Sequence, residues 1–226
     1  MELSTVEKFI LLAQHPEKAR FTIGGVQLNY GIIGALLLEM SQEKIVMLED
    51  GKLVLKDRKR HKNPLVSEIV EMIEASEKKR KIKYWIIRLN RKSYKFKWAI
   101  LNEMDKKRLV RIEHKKFLGL IPYKLCYLRD GRTREKLIQH IRKAILHPSL
   151  AEITNDDIAL MGLVEAGKMH KTIASNKEEL KRIRKELKEV IKNSPIAGVI
   201  DETIRQVQAA IVASMITTTV VVGGGR

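Results

Sequence analysis

The stretch from Tyr30 to Met40 constrains the fold most, because it is almost entirely apolar. A helix that is apolar on every side has to be buried, so it must lie inside a core. Gly34 and Ala35 would allow a neighbouring element to approach it closely. Gly24, Gly25 and Gly31 predict irregular backbone around its start. The hydrophobic content of 44% is sufficient for such a core, and the scarcity of aromatic residues, 5%, leaves the packing mainly to aliphatic side chains.

Local signals predict helices and two hairpins around this buried segment. Ser4 and Glu7 have the spacing of a capping box. The turn Asp50-Gly51 lies between two short apolar runs and predicts a β-hairpin, and a second hairpin is predicted from Leu109 to Leu128. Further helices are predicted after Asn63-Pro64, at about Thr133 to Leu146, Asn155 to Gly167, Asn176 to Ile191, and from Asp201 onward. We expect one domain over residues 1–222 and a disordered tail over 223–226.

The positive charge is concentrated in the middle of the chain. Residues 1–77 contain 10 Lys/Arg and 12 Asp/Glu, whereas residues 78–143 contain 23 and 5; residues 144–226, with 11 and 10, are nearly neutral. The middle segment therefore has a net charge of +18, whereas the first segment has −2 and the last +1, which together give the formal net charge of +17. A field of this kind favours a polyanion or an anionic surface as the partner, which indicates nucleic acid or a membrane.

The most basic part runs from Lys78 to Lys97, and residues 78–102 contain no Asp or Glu. Aromatic residues are interleaved with these cations and could lie at the headgroup level of a bilayer, although core packing is the simpler interpretation for Trp85 and Trp98. A solvated charged face is the corresponding alternative for the cations. The candidate anion-binding residues are Arg88, Arg91, Lys92, Lys95 and Lys97, supplemented by Arg108, Arg111, Lys115 and Lys116.

The chain resembles the Golgi phosphoprotein 3-like domain family over nearly its whole length. The resemblance is carried by the helix Leu3 to Leu12, by Gly31-Ile-Ile-Gly-Ala-Leu-Leu-Leu-Glu-Met40, and by Leu48-Glu-Asp-Gly-Lys-Leu53. Pro64-Leu65 and Thr133-Arg-Glu-Lys-Leu-Ile138 follow in the family's order. The resemblance implies a mainly α fold: a single compact helical domain with small β-hairpins, one of them protruding, and partly winged-helix-like.

By the same resemblance, the protein would be a peripheral membrane protein that binds phosphatidylinositol 4-phosphate and engages cytoplasmic tails of membrane proteins. The family's headgroup-binding positions correspond to Gly24, Ile33, Tyr94 and Lys97, of which only Lys97 is charged. One lysine lacks the bidentate geometry of arginine, so the sequence favours a general anionic surface over a stereospecific pocket. A winged-helix-like nucleic-acid-binding protein is the alternative.

The protruding hairpin implies self-association, since family members use it to form homo-oligomers. Its predicted tip, formed by Phe117, Leu118, Leu120 and Ile121, is apolar enough to bury in a partner, to insert among lipids, or to pack on its own domain.

Sequence patterns for catalysis are lacking. The chain has no P-loop, no dinucleotide-binding fingerprint, no nucleophile elbow and no His-Glu-x-x-His motif. The single cysteine, Cys126, lies in an apolar run that predicts a buried thiol, and Glu39 is expected to face outward or to pair with a cation. We therefore expect no enzyme activity, no metal and no cofactor. The absence of a signal-peptide pattern and of a long apolar run predicts a cytoplasmic protein that is peripheral on a membrane surface.

Overall fold

The computed structural model describes residues 2–57, 61, 63–193 and 205–216, and these are mainly α-helical. The helices are α1 (Thr5–Ala13), α2 (Gly25–Gln42), α3 (Pro64–Glu74), α4 (Ile82–Asn90), α5 (Ser93–Lys106), α6 (Gly131–Leu146), α7 (Asn155–Ala166), α8 (His170–Ile173), α9 (Lys177–Lys192) and α10 (205–216). The strands are β1 (Val46–Glu49), β2 (Lys52–Leu55), β3 (Arg80–Lys81), β4 (Val110–Phe117) and β5 (Ile121–Leu128). This confirms the predicted mainly α fold with small β-hairpins.

Helix α2 lies at the centre of the core, as its apolar sequence predicts. It packs against α1, α4, α5 and α7, which cover its different sides. Gly31 faces the ring of Phe9, and a Cβ at Gly34 would lie 2.6 Å from Cδ1 of Ile211 on α10. The prediction of irregular backbone was wrong at Gly25 and Gly31, because Gly24 is the N-cap and α2 begins at Gly25 and continues through Gly31.

The helix boundaries follow the local capping chemistry. The Ser4 hydroxyl accepts a hydrogen bond from the backbone N–H of Glu7, and the Glu7 carboxylate accepts one from the backbone N–H of Ser4. Asp130 caps α6, so this helix begins at Gly131 rather than at the predicted Thr133. The predicted tail, residues 223–226, lies outside the described residues.

Two antiparallel hairpins complete the fold. Asp50 and Gly51 both have positive φ, 50° and 69°, and join β1 to β2 as predicted; β3 then pairs with β2. The second hairpin, predicted from Leu109 to Leu128, pairs β4 with β5 from Val110–Leu128 to Phe117–Ile121. The two strands extend from α5 as a two-stranded sheet.

Candidate anion-binding surface

The folding of α4 and α5 forces the basic segment toward solvent. Apolar residues from both helices enter the core, namely Trp85, Ile86, Leu89, Phe96, Ile100, Leu101 and Met104. The cations between them therefore occupy the outer sides of the two helices, where Lys83, Arg88, Arg91, Lys92 and Lys95 are exposed. The predicted core position of Trp85 is confirmed, with 1% of its surface exposed.

Two of the five candidate residues are held by one carboxylate. Lys92 Nζ and Lys95 Nζ each lie 2.7 Å from a different oxygen of Glu68 on α3. Partial burial opposes ionisation of Glu68, but the hydrogen bonds from both lysines hold its pKa below the usual value. These ion pairs connect α3 to the start of α5 and neutralise part of the charge that the sequence offers there.

Arg88 packs against aromatic rings of its own helix. Its guanidinium donates a hydrogen bond of 2.8 Å to the Tyr84 hydroxyl and lies 6.0 Å from the centroid of the Trp85 ring. Arg80 lies over the ring of Tyr84, with its guanidinium 5.0 Å from the ring centroid. Arg91 is exposed and has no ion-pair partner among the described residues.

Lys97 belongs to a cation–aromatic group that we call the Trp98 cluster, formed by Tyr94, Lys97, Trp98 and Lys124. Lys97 Nζ lies 5.4 Å from the Tyr94 centroid and 5.5 Å from the Trp98 centroid. Lys124 Nζ, from β5, lies 5.2 Å from the same indole. The cluster thus joins α5 to the hairpin and places two ammonium groups beside one half-buried aromatic ring.

Burial alters the chemistry of this cluster. It lowers the pKa of Lys97, which is half-buried, and raises the pKa of the neighbouring Cys126 thiol to about 12. Cys126 is buried as predicted, so it is an unreactive thiol rather than a nucleophile. Tyr94 is 67% exposed, which leaves one aromatic face of the cluster open to a ligand or a surface.

The hairpin tip projects four large apolar side chains. The exposed fractions are 58% for Phe117, 82% for Leu118, 83% for Leu120 and 63% for Ile121. Leu118 and Gly119 have positive φ in the turn between the strands. These exposures exclude packing of the tip on its own domain, one of the three alternatives that the sequence left open.

Cations lie along the hairpin behind the tip, although some are paired. Arg111 Nη2 lies 2.8 Å and Lys115 Nζ 3.4 Å from the carboxylate of Glu113. Lys116 is exposed and has no carboxylate partner among the described residues. An apolar tip flanked by positive charge is suited to a surface that is anionic outside and apolar beneath.

Glu39 differs from its sequence expectation. It is half-buried, and its carboxylate accepts a hydrogen bond of 2.7 Å from the backbone N–H of Val6 at the start of α1. Burial raises its pKa to about 7. The expectation that it faces outward or pairs with a cation was wrong, because α2 packs beside the first turn of α1 and its carboxylate satisfies the Val6 N–H in addition to the Ser4–Glu7 capping box. A capping role accounts for this carboxylate.

Two histidines are engaged by carboxylates, and the described residues contain no group of three or more metal-ligating side chains. His140 Nε2 lies 2.9 Å from Asp157, and His170 Nε2 lies 2.7 Å from Glu165. Among the described helices, none has the length and apolarity needed to cross a membrane.

The family's headgroup positions are separated by the fold. Ile33 is fully buried in the core, and Gly24 is an exposed N-cap. Tyr94 and Lys97 meet in the Trp98 cluster. The sequence did not identify Lys124 as a candidate anion-binding residue, because its proximity to Trp98 depends on how the hairpin docks on α5.

Fold and surface define a helical domain with a projecting, basic hairpin. A family model described as Golgi phosphoprotein 3 (GPP34) matches residues 6–211, and the chain belongs to this family. The predicted family is thereby confirmed. No individual curated protein matches the chain.

Proposed function

We propose that this protein is a non-enzymatic peripheral membrane protein that binds anionic phospholipid reversibly from the cytoplasmic side. The observation that carries the proposal is the exposed apolar tip, Phe117 to Ile121, with basic residues directly behind it on both strands. Membership of the Golgi phosphoprotein 3 family supports a membrane-associated role. Through the same resemblance we propose phosphatidylinositol 4-phosphate as a ligand, and cytoplasmic tails of membrane proteins as clients.

The dimensions of the hairpin suit this role. A strand advances about 3.3 Å per residue, so Lys124 lies about 13 Å along β5 from Leu120. A tip inserted to the boundary of the acyl chains, about 5–10 Å deep, would therefore leave Lys116, which pairs with Pro122 nearer the tip, at the level of the lipid phosphates, and Lys124 just outside them. The Trp98 cluster would lie just outside them, where Tyr and Trp are favoured.

The magnitudes favour reversible binding. Complete burial of one Leu, Ile or Phe side chain contributes about 1.5–3 kcal/mol, and each cation near an anionic leaflet contributes about 1 kcal/mol. A partly inserted tip with a few free cations then contributes several kcal/mol, which is consistent with a dissociation constant of roughly micromolar order. Arg91 and Lys97 add to this surface, together with Arg88. The Glu68 ion pairs reduce what Lys92 and Lys95 contribute.

Vesicle flotation tests the proposal with the full chain. We expect binding to phosphatidylcholine vesicles that contain phosphatidylserine, and little binding to phosphatidylcholine alone. The double variant Leu118→Asp/Leu120→Asp should weaken binding at least about tenfold, because it puts charge where apolar surface inserts. Leu150→Asp is the matched control, since Leu150 is 69% exposed outside the hairpin.

Equal binding of the tip variant and the wild type would overturn the insertion mechanism. Vesicles with phosphatidylinositol 4-phosphate, matched in charge to the phosphatidylserine vesicles, separate a headgroup site from a general anionic surface. Binding to duplex DNA with no binding to any vesicle would instead support the nucleic-acid alternative.

We also propose self-association through Phe117, Leu118, Leu120 and Ile121. Size-exclusion chromatography with light scattering over a range of concentrations tests this role. A monomer at all concentrations would exclude it, whereas an oligomer that the tip variant converts to a monomer would support it.

A further inference from the structure

A groove on the side of the protein formed by α10 has features that the membrane proposal does not use. Its volume is about 890 Å³, and it lies between α10, the α7–α8 turn and α9. We call it the α10 groove. It shares no residue with the hairpin, the Trp98 cluster or the five candidate residues of α4 and α5.

Helix α10 has two apolar sides. Val207, Ala210 and Ile211 are buried in the core. A second set of apolar residues lines the groove, and its members are Ala209, Val212, Ala213 and Ile216. Their spacing of three, four and seven residues places them on one stripe of the helix.

This second stripe is accessible. Val212 is 40% and Ile216 is 62% exposed. Ala209 and Ala213, on the same stripe, leave room for another backbone to approach, and the stripe has the form of one half of a helix–helix contact. The arrangement fits an apolar helix face of a partner laid along α10.

The rim of the groove is basic. Lys168, Lys171 and Arg184 line it, and none has a carboxylate partner among the described residues. Among the described residues of the lining, Glu165 is the one acidic residue, and its carboxylate is occupied by His170 at 2.7 Å and approached by Lys188 at 3.9 Å. The rim is therefore complementary to negative charge.

Gln208 adds an unsatisfied polar group to the lining. Its side-chain Nε2 is buried and has no hydrogen-bond partner among the described residues. Because Nε2 is closed off from solvent, the amide must rotate toward the groove to donate to a carboxylate or carbonyl oxygen of a bound partner, and that bond would remove the desolvation cost of leaving it unmade.

We propose that the α10 groove binds an acidic amphipathic helix of a partner protein. The apolar stripe receives the partner's apolar face, and Lys168, Lys171 and Arg184 pair with its carboxylates. A bilayer is a weaker fit, because a flat surface does not reach the floor of a recessed groove. The hairpin tip, by contrast, projects from the domain, and a projecting tip can enter a bilayer.

Fluorescence anisotropy with the full chain tests the proposal. The probe is a labelled 18-residue amphipathic peptide with Leu on one face and Glu on the other, and its counterpart carries Lys in place of Glu. We expect the acidic peptide to bind at least about tenfold more tightly than the basic one, with an affinity that falls as salt rises.

Two variants locate the binding. Val212→Asp and Arg184→Glu should each weaken binding of the acidic peptide by about tenfold or more, since they disturb the stripe and the rim separately. Ile87→Asp is the matched control, because Ile87 is 39% exposed on α4. Circular dichroism checks that all three variants keep the wild-type helix content.

Three results would overturn the proposal: no binding of the acidic peptide, equal binding of both peptides, or equal loss in the Ile87→Asp control. Loss of phosphatidylserine vesicle binding in Val212→Asp, with peptide binding intact, would identify the groove as a membrane contact instead. The hairpin variant Leu118→Asp/Leu120→Asp should bind the peptide normally, so failure here and failure of the membrane proposal remain distinguishable.

Discussion

Replacement of Glu39 by Gln should remove a loss of folding stability that occurs as pH rises. The Glu39 carboxylate caps α1 through the backbone N–H of Val6, but burial opposes its charge. Its pKa is about 7 in the folded protein, compared with the ordinary value of 4.5. Glutamine can accept the same hydrogen bond without carrying a charge, so the cap is kept and the cost of ionisation is lost.

The direction of this pH dependence follows from how many protons the folded and unfolded chains bind. Below the ordinary pKa the carboxyl is protonated in both folded and unfolded chains, and it contributes no pH dependence. Between the two values the folded chain binds more protons, so its stability falls as pH rises through about 7. Above that pH both states are ionised, and the full penalty is about 3 kcal/mol at about 1.4 kcal/mol per pKa unit.

Urea unfolding from about pH 5 to about pH 8 measures this effect. We expect the stability of Glu39→Gln relative to wild type to increase by about 2.5 kcal/mol over that range. Other carboxylates titrate in both proteins and cancel in the difference. Glu152→Gln, an exposed carboxylate outside this contact, is the control and should show a nearly constant difference. A pH-independent difference for Glu39→Gln would refute the assignment of a raised pKa to this carboxylate.

Two further predictions concern packing and the Glu68 ion pairs. Gly34→Ala should destabilise the protein by about 1–3 kcal/mol in urea unfolding, because the new methyl would meet the Ile211 side chain at 2.6 Å. Gly25→Ala, with no atom within 4 Å of the new Cβ, is the control and should be neutral or slightly stabilising. Glu68→Gln should release its two lysines and tighten binding to phosphatidylserine vesicles by roughly thirtyfold, at about 1 kcal/mol for each lysine freed. Unchanged vesicle binding in that variant would show that these lysines do not face the membrane.

Patterns between near neighbours in the chain were sufficient for much of the fold. The Ser4–Glu7 capping box, the Asp50-Gly51 turn and the apolar run of α2 each depend on residues within one element. Their outcome is decided by local hydrogen bonding and by the need to bury apolar surface. The concentration of positive charge in residues 78–143 is likewise a property of the sequence alone.

The tertiary structure decided which of these charges are available. Glu68 and the lysines that it binds are 24 and 27 positions apart, and Lys124 reaches Trp98 only because β5 docks beside α5. Glu39 is separated from Val6 by 33 positions, and no local pattern places its carboxylate there. Such pairs depend on how helices and strands are oriented when the core closes, because packing and not sequence spacing sets those distances.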